Sequence, residues 1–350
     1  MSSNDKNLAG KKVFVTRLIP EAGLDMLREA GAEITIHQRD EERGVERSAL
    51  LAGVRESDVL LPLLTEPIDR EVLEANPDLL GIAQMAVGYN NIDVEVATEL
   101  GIPVANTPGI LTEATADFTW AMLMAIARRI PESHVYMVEG RYKIWGPNLL
   151  LGADVGTGPD GQRKVIGIVG YGRIGEAVAK RATGFDMEIL AFDPFAKETI
   201  EADERVSWAE LDELLERSDF VTLHPPLTPE TRHLIGADEL RRMKKTAYVI
   251  NAARGPIIHE SALVEALRGG EIAGAALDVY EDEPAMAPGL AELPNVALFP
   301  HVASATLATR SRMSTMAAEN ALAHLRSERA PHAVNPEVYE TEAYRRRAQR

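Results

Sequence analysis

The stretch from Lys164 to Asp193 constrains this chain most. Val165 to Val169 is a short apolar, β-branched run, the pattern of a buried parallel strand. Gly170-Tyr171-Gly172-Arg173-Ile174-Gly175 follows at once as G-x-G-x-x-G, and a helical period places Ile174, Val178 and Ala182 on one face. A second strand, Glu188 to Phe192, ends in Asp193. Each position has a physical reason. Gly170 allows a tight turn, Gly172 lets the backbone approach a pyrophosphate, and Gly175 allows the helix to pack closely on the strand. The helix start presents unpaired N–H groups and a positive dipole end to phosphates. Asp193, at the tip of the second strand, can accept from ribose hydroxyls. A glycine-rich turn without a ligand needs none of the surrounding parts. Strand, helix, second strand and terminal acid together read as a dinucleotide site.

A chain of 350 residues suits two domains rather than one small core. Its 54 acidic residues against 37 basic give a net charge of -17, which argues against a nucleic-acid or anionic-membrane partner. The same balance would suit a high-salt cytoplasm. The absence of cysteine excludes disulfides, a thiolate nucleophile and cysteine-bound metal. The start, Met1 to Gly10, is polar and lacks the apolar core of a secretory signal. No apolar run approaches the ~20 residues of a membrane span. These features lead us to expect a cytoplasmic protein with no membrane partner.

Before the glycine motif, strands are expected at Lys12 to Thr16, Glu33 to His37, Val59 to Leu64, Leu80 to Met85 and Val104 to Asn106, with a helix at Ala22 to Ala30. Glu41 to Arg47 is charged, and reads as loop or helix. The alternation predicts a small parallel sheet. Val87-Gly88 follows directly on one of its strands, where backbone N–H groups could face a small anion. The segment alone reads equally as an ordinary turn with Asp93 as a helix cap. Leu111 to Ile130 carries the longest helical pattern, capped near Thr112, with Arg128 and Arg129 in its last turn and Pro131 as its stop. Trp145 to Arg163 reads as an extended glycine- and proline-containing loop, with Gly152 to Gly161 its most variable part.

After Asp193 the expected elements are a helix from Trp208 to Arg217, strands at Phe220 to His224 and Ala247 to Asn251, and a helix from Ser261 to Arg268. Further strands follow at Gly274 to Val279 and Val296 to Phe299. With the strands around the glycine motif this makes about six, enough for a doubly wound sheet. Thr306 to Ser327 is a second long helix, leading back to the first sheet, where Ala333-Val334-Asn335 can pack.

Three charged residues stand just past strand ends: Arg254, Glu283 and His301. Ligands of doubly wound sheets bind at that edge. Singly, each has an ordinary explanation: a surface arginine, one acid in an acidic loop, a capping histidine. At matching topological positions they form a constellation. Hydride transfer to a carbonyl needs a proton donor for the forming alkoxide, and histidine is the usual one near neutral pH. A carboxylate on its other ring nitrogen fixes the tautomer and favours the cationic ring. Arginine offers a bidentate fork to a substrate carboxylate.

These motifs resemble the D-isomer-specific 2-hydroxyacid dehydrogenase family. The resemblance rests on Gly170 to Gly175, Asn251-Ala252-Ala253-Arg254-Gly255, Asp278-Val279-Tyr280 to Glu283-Pro284, Pro300-His301-Val302-Ala303-Ser304 and Asn106-Thr107-Pro108-Gly109. It spans about Lys12 to Val338, and within the family it is nearest the glyoxylate/hydroxypyruvate reductase branch. It implies an α/β fold of two Rossmann-like doubly wound domains. Residues 1–110 and 307–350 would form a flavodoxin-like substrate domain, and residues 111–306 a classical NAD-binding domain. It further implies that His301 is the proton donor and acceptor, Glu283 its partner, and Arg254 the ligand of the substrate carboxylate and keto oxygen. Val87 and Gly88 backbone groups would hold the carboxylate. Asp278 would hold the nicotinamide carboxamide. Thr115, Pro226, Ala252 and His301 would touch the cofactor, and Arg173 and Ile174 would line its pyrophosphate, beside Gly170, Gly172, Gly175 and Asp193. No metal site is implied.

The expected reaction is reduction of glyoxylate or hydroxypyruvate to glycolate or D-glycerate, with a homodimer formed through the NAD-binding domain. Asp193, with no arginine directly after it, leads us to expect NADH over NADPH. A D-lactate or D-3-phosphoglycerate dehydrogenase stays open, as does a non-catalytic NADH-sensing corepressor. A formate dehydrogenase is disfavoured because that branch carries Gln where Glu283 stands.

Overall fold

The structure, a computed structural model, describes residues 8–40 and 43–348. Met1 to Asn7 of the polar start, and Glu41 and Glu42 of the charged segment, lie outside the described residues. The chain divides into two compact units: Met1–Leu111 with Thr306–Arg350, and Thr112–Ala305.

The first unit is built on five strands: β1 (Lys12–Arg17), β2 (Glu33–Gln38), β3 (Val59–Leu61), β4 (Gly81–Ala83) and β5 (Val104–Ala105). All pair in parallel, in the order β2-β1-β3-β4-β5. This is the flavodoxin-like order. β3 and β4 are wholly buried, whereas the edge strand β2 alternates exposed and half-buried residues. β3 is shorter than the apolar run predicts, because Pro62 cannot donate to a ladder. The helix Leu307–Leu325 closes this unit, with the Thr306 side chain capping its start. The tail returns as expected. Val334 N–H donates to the Val104 carbonyl, and the Asn335 amide accepts from Val104 N–H while donating to Thr98 and Ile102. Two short helices, Arg47–Arg55 and Arg70–Glu74, went unread in the sequence, and a third, Val94–Glu99, was anticipated only through the Asp93 cap. Asp93 caps the last of them, accepting from Val96 N–H, which bears out the ordinary reading of that residue.

The second unit holds seven strands: β6 (Val165–Val169), β7 (Glu188–Phe192), β8 (Ser207–Trp208), β9 (Phe220–Leu223), β10 (Tyr248–Asn251), β11 (Gly274–Leu277) and β12 (Val296–Leu298). They too are all parallel, in the order β12-β11-β10-β9-β6-β7-β8. The order reverses at β6, so the crevice past its C-terminal end is the ligand edge. Apolar clusters cover both faces of the sheet, one including Trp120, Met122 and Leu123 of the helix Thr112–Ala127.

Two expectations are corrected here. Trp208 does not open a helix: it forms the two-residue edge strand β8, pairing with Ala191, and the helix starts at Leu211. A strand that short has no period to read. Pro131 does not stop the long helix. That helix ends at Ala127, and Arg129 breaks the chain with left-handed angles (φ 53°, ψ 39°). Pro131 lies in the first turn of the next helix, Ile130–Val138, where its missing N–H costs nothing. The Gly152 to Gly161 segment is tied down by Ala153 N–H to the Ala127 carbonyl and by buried Val155. No helix among the described residues is long and apolar enough to cross a membrane.

Candidate active site

Arg254, Glu283 and His301 all stand on the second unit, in loops that leave neighbouring strands. Arg254 follows β10. Buried Asn251 shapes that turn: its amide donates to the Arg254 carbonyl (2.9 Å) and accepts from Ala253 N–H (3.0 Å). Gly255 comes next, and a Cβ there would overlap the Tyr280 carbonyl, so only glycine lets the β10 and β11 loops pass this closely. The Arg254 guanidinium donates to the Ala253 carbonyl at 2.7 Å. Burial pulls it below the ordinary arginine range, and the charge of Glu283 opposes that shift.

Glu283 and His301 leave β11 and β12 and meet. His301 Nδ1 donates to Glu283 Oε2 at 2.9 Å. Glu283 Oε1 accepts from Tyr280 N–H at 3.0 Å. Burial pushes Glu283 up, but the hydrogen bond and charge of His301, the Tyr280 N–H and the charge of Arg254 outweigh it. The carboxyl is held below the usual glutamate range. His301 sits at φ 56°, a left-handed conformation that a non-glycine residue keeps only when its surroundings impose it. Asp278 imposes it: fully buried, it accepts from Val302 N–H and Ala303 N–H, both at 2.8 Å. Tyr280 adds a bond from its hydroxyl to the Phe299 carbonyl at 2.9 Å, and burial pushes that phenol up to about 12. Sequence reasoning named Asn251 and Tyr280 only as parts of motifs and gave neither a role of its own, because the bonds each makes are visible only in the folded loops.

The cofactor candidates surround the end of β6. Gly170 has φ 89°, and a Cβ on Gly175 would overlap the Gly170 carbonyl. Gly172 heads the helix Arg173–Ala182, and a Cβ placed on it meets nothing within 4 Å, which leaves a cradle open beside the helix start. Arg173 is exposed and Ile174 half-buried. Asp193 is half-buried and oriented by backbone: Oδ2 accepts from Tyr171 N–H and Oδ1 from Phe195 N–H, both at 2.9 Å. Each oxygen keeps lone pairs for a ribose hydroxyl. These residues fit a dinucleotide. Thr115 is buried on the helix Thr112–Ala127, Ala252 is half-buried after β10, and Pro226, exposed after β9, accepts from the Thr231 hydroxyl. Asp278, expected at the carboxamide, has both oxygens engaged with the His301 segment, so its first task here is to hold that segment.

Val87 and Gly88 belong to the first unit. Their carbonyls accept from the amides of Asn106 (2.7 Å) and Gln84 (2.6 Å), which fixes the orientation of both peptides.

Residues 120–303 match the NAD binding domain of the D-isomer specific 2-hydroxyacid dehydrogenases. The chain belongs to that family. Over 329 residues it is 50% identical to a glyoxylate reductase of Korarchaeum cryptofilum, covering 93% of this chain and 96% of the relative. The crystal structure of TT0316 protein from Thermus thermophilus is 42% identical and superposes with a TM-score of 0.84, covering 92% of this chain and 99% of that one. An NADPH-dependent glyoxylate/hydroxypyruvate reductase of Sinorhizobium meliloti, solved with citrate, is 29% identical with a TM-score of 0.77, covering 93% and 98%. As a member of this family the chain is a nicotinamide-dependent oxidoreductase with two α/β units, and small 2-keto or 2-hydroxy acids are its substrate class.

Proposed function

We propose that this protein reduces glyoxylate and hydroxypyruvate to glycolate and D-glycerate, with NADH as the preferred donor. The observation that carries the reading is the His301–Glu283 pair at 2.9 Å, set beside Arg254 at the ends of three adjacent strands. The half-identity to a glyoxylate reductase supports the substrate. The nicotinamide, when bound, supplies the hydride. Arg254 holds the substrate carboxylate and keto oxygen. The cationic His301 ring gives the proton on Nε2 to the forming alkoxide while Glu283 keeps Nδ1 protonated and the ring in place. Asp278, through Val302 and Ala303, aims that ring. Asp193 favours NADH because the 2′-phosphate of NADPH would meet a like charge there.

The same reading includes a homodimer through the NAD-binding domain, formed by residues 111–306, and a cytoplasmic location. The helix Ile130–Val138 has no buried residue, and beyond it Ile144 and Trp145 are 81% and 72% exposed. Apolar surface of this kind is what a second copy would cover. Assays of the purified protein with glyoxylate, hydroxypyruvate, pyruvate and 3-phosphohydroxypyruvate test the substrate. The highest kcat/KM is expected for the first two, whereas a preference for pyruvate or the phosphorylated acid would replace the reading. Inactivity on all four, with NADH still bound, would favour a sensor.

A further inference from the structure

The loop after β11 carries two glutamates two residues apart, and each meets a histidine. Glu283 meets His301. Glu281 meets His233, whose Nε2 donates to Glu281 Oε1 at 2.5 Å. The second pair lies outside the proton path proposed above, yet it is built with more bonds than the first.

Glu260 is almost fully buried at the start of the helix Glu260–Gly269. Its Oε2 accepts from Glu281 N–H and its Oε1 from Ala287 N–H, both at 2.6 Å. In return Glu281 Oε2 accepts from Glu260 N–H at 3.1 Å. Segment 281–287 is therefore clamped at both ends, with Glu283 between the clamps. His233 carries the clamp to the Arg254 side. It sits at φ 56°, its N–H donates to the Pro256 carbonyl at 2.7 Å, and Ile235 N–H donates to the Ile257 carbonyl at 3.1 Å. The His259 ring packs edge-on against the His233 ring with centroids 4.6 Å apart, and the Arg232 guanidinium lies 3.6 Å from Glu281 Oε1. Three loops, after β9, β10 and β11, are thus joined at one point. A left-handed histidine and a buried carboxylate are features a chain keeps only where the surroundings hold them.

We propose that the His233–Glu281 pair is a positioning element for the acid–base pair: it sets where the Glu283 carboxylate meets His301 and ties that loop to the segment that carries Arg254. The proposal rests on the reductase reading. The chain turns tightly here, with Asp282 and Ala285 bridged across the turn, so one glutamate anchors the loop while the other works. A displacement of about 1 Å at reacting groups can cost ~10²-fold in rate.

The test compares His233→Leu, His233→Gln and Glu281→Gln with the parent protein. Leu removes the donor to Glu281, whereas Gln can place an amide nitrogen close to the lost Nε2. Melting temperature and NADH affinity by fluorescence are measured beside kcat, KM and the pH–rate profile of keto-acid reduction. We expect His233→Leu and Glu281→Gln to bind NADH within about twofold of the parent, to lose about 10–100-fold in kcat with little change in KM, and to shift the profile toward acid. His233→Gln should restore most of the rate. Folded His233→Leu and Glu281→Gln proteins with parental kcat and pH profile would overturn the proposal. So would a loss that follows melting temperature alone and is not rescued by Gln. A parent protein without keto-acid activity would instead strike the reductase reading, and NADH affinity separates that outcome from a failure of the cofactor site.

Discussion

The two sheets are alike in construction and unlike in chemistry. Each is wholly parallel, and each places its loops past the C-terminal strand ends. In the five-stranded unit those loops are held mostly by neutral amides. Gln84 and Asn106 take the Gly88 and Val87 carbonyls, and Asn91 donates to the Leu63 and Glu66 carbonyls. Its buried acid, Glu66, is occupied by the Thr16 hydroxyl and Leu63 N–H. In the seven-stranded unit the corresponding loops carry Arg254, Asp278, Glu283 and His301. The difference shows that architecture offers an edge, and that ionisable side chains on it decide whether protons move there. An amide network fixes backbone dipoles for binding. A carboxylate–imidazole pair can change its protonation during a reaction.

The sharpest way to break this contrast is to remove the proton donor. His301→Ala should lower turnover by about 10²–10⁴-fold while leaving NADH binding in place. Steady-state assays with glyoxylate check it, and near-parental turnover would remove His301 from the mechanism. Arg254→Lys keeps the charge and loses the planar fork. It should cost roughly 2–4 kcal/mol in kcat/KM for every 2-keto acid, from the loss of charge-assisted bonds. A loss confined to one bulky substrate would make Arg254 a selector of size instead.

A third prediction concerns a histidine in the first unit that does no such chemistry. His324 is fully buried, and its Nε2 donates to the Ile82 carbonyl at 3.2 Å. Burial pushes its pKa down to about 4. The unfolded chain, near the ordinary ~6.5, binds the proton first. Stability from His324 is therefore present above about pH 6.5 and lost as pH falls toward 4, at roughly 1.4 kcal/mol per unit and about 3 kcal/mol in all. Urea denaturation at pH 7 and 4.5 should show a smaller fall for His324→Gln than for the parent. Equal falls in the two proteins would show that other groups govern acid unfolding.

The smallest effect is expected at Asp193. Asp193→Ala should weaken NADH binding by about 1–3 kcal/mol, because hydrogen bonds to a charged acceptor are lost. It should also improve the use of NADPH by removing a like charge. Fluorescence titration with both cofactors decides this, and a parent protein that binds NADPH better than NADH would show that Asp193 does not govern the choice.

Much of this was legible in the residues because the signals are local. Val165 to Val169, the three glycines and the strand ending at Asp193 form one continuous pattern, and short apolar runs mark most of the other strands. Arg254, Glu283 and His301 stood out because each stands a few residues past such a run. Their order along the chain implied adjacent loops once a doubly wound sheet was assumed. Where local signals were weak or equivocal, the reading failed. β8 is two residues held by its neighbour β7. Pro131 is as acceptable at the start of a helix as at the end of one, and the left-handed turn at Arg129 decided between them.

By itself the sequence determined the strand–helix alternation, the glycine turn and the identity of the ionisable groups, since these depend on side chains within a few residues of one another. The resemblance already paired Glu283 with His301; tertiary structure alone decided that Glu281 meets His233, that Asp278 holds the His301 segment, and that Glu260 clamps the loop between them. Those pairings join residues from 18 to 48 positions apart. They exist only because parallel strands deliver distant segments to the same edge, where burial compels every carboxylate to find a partner.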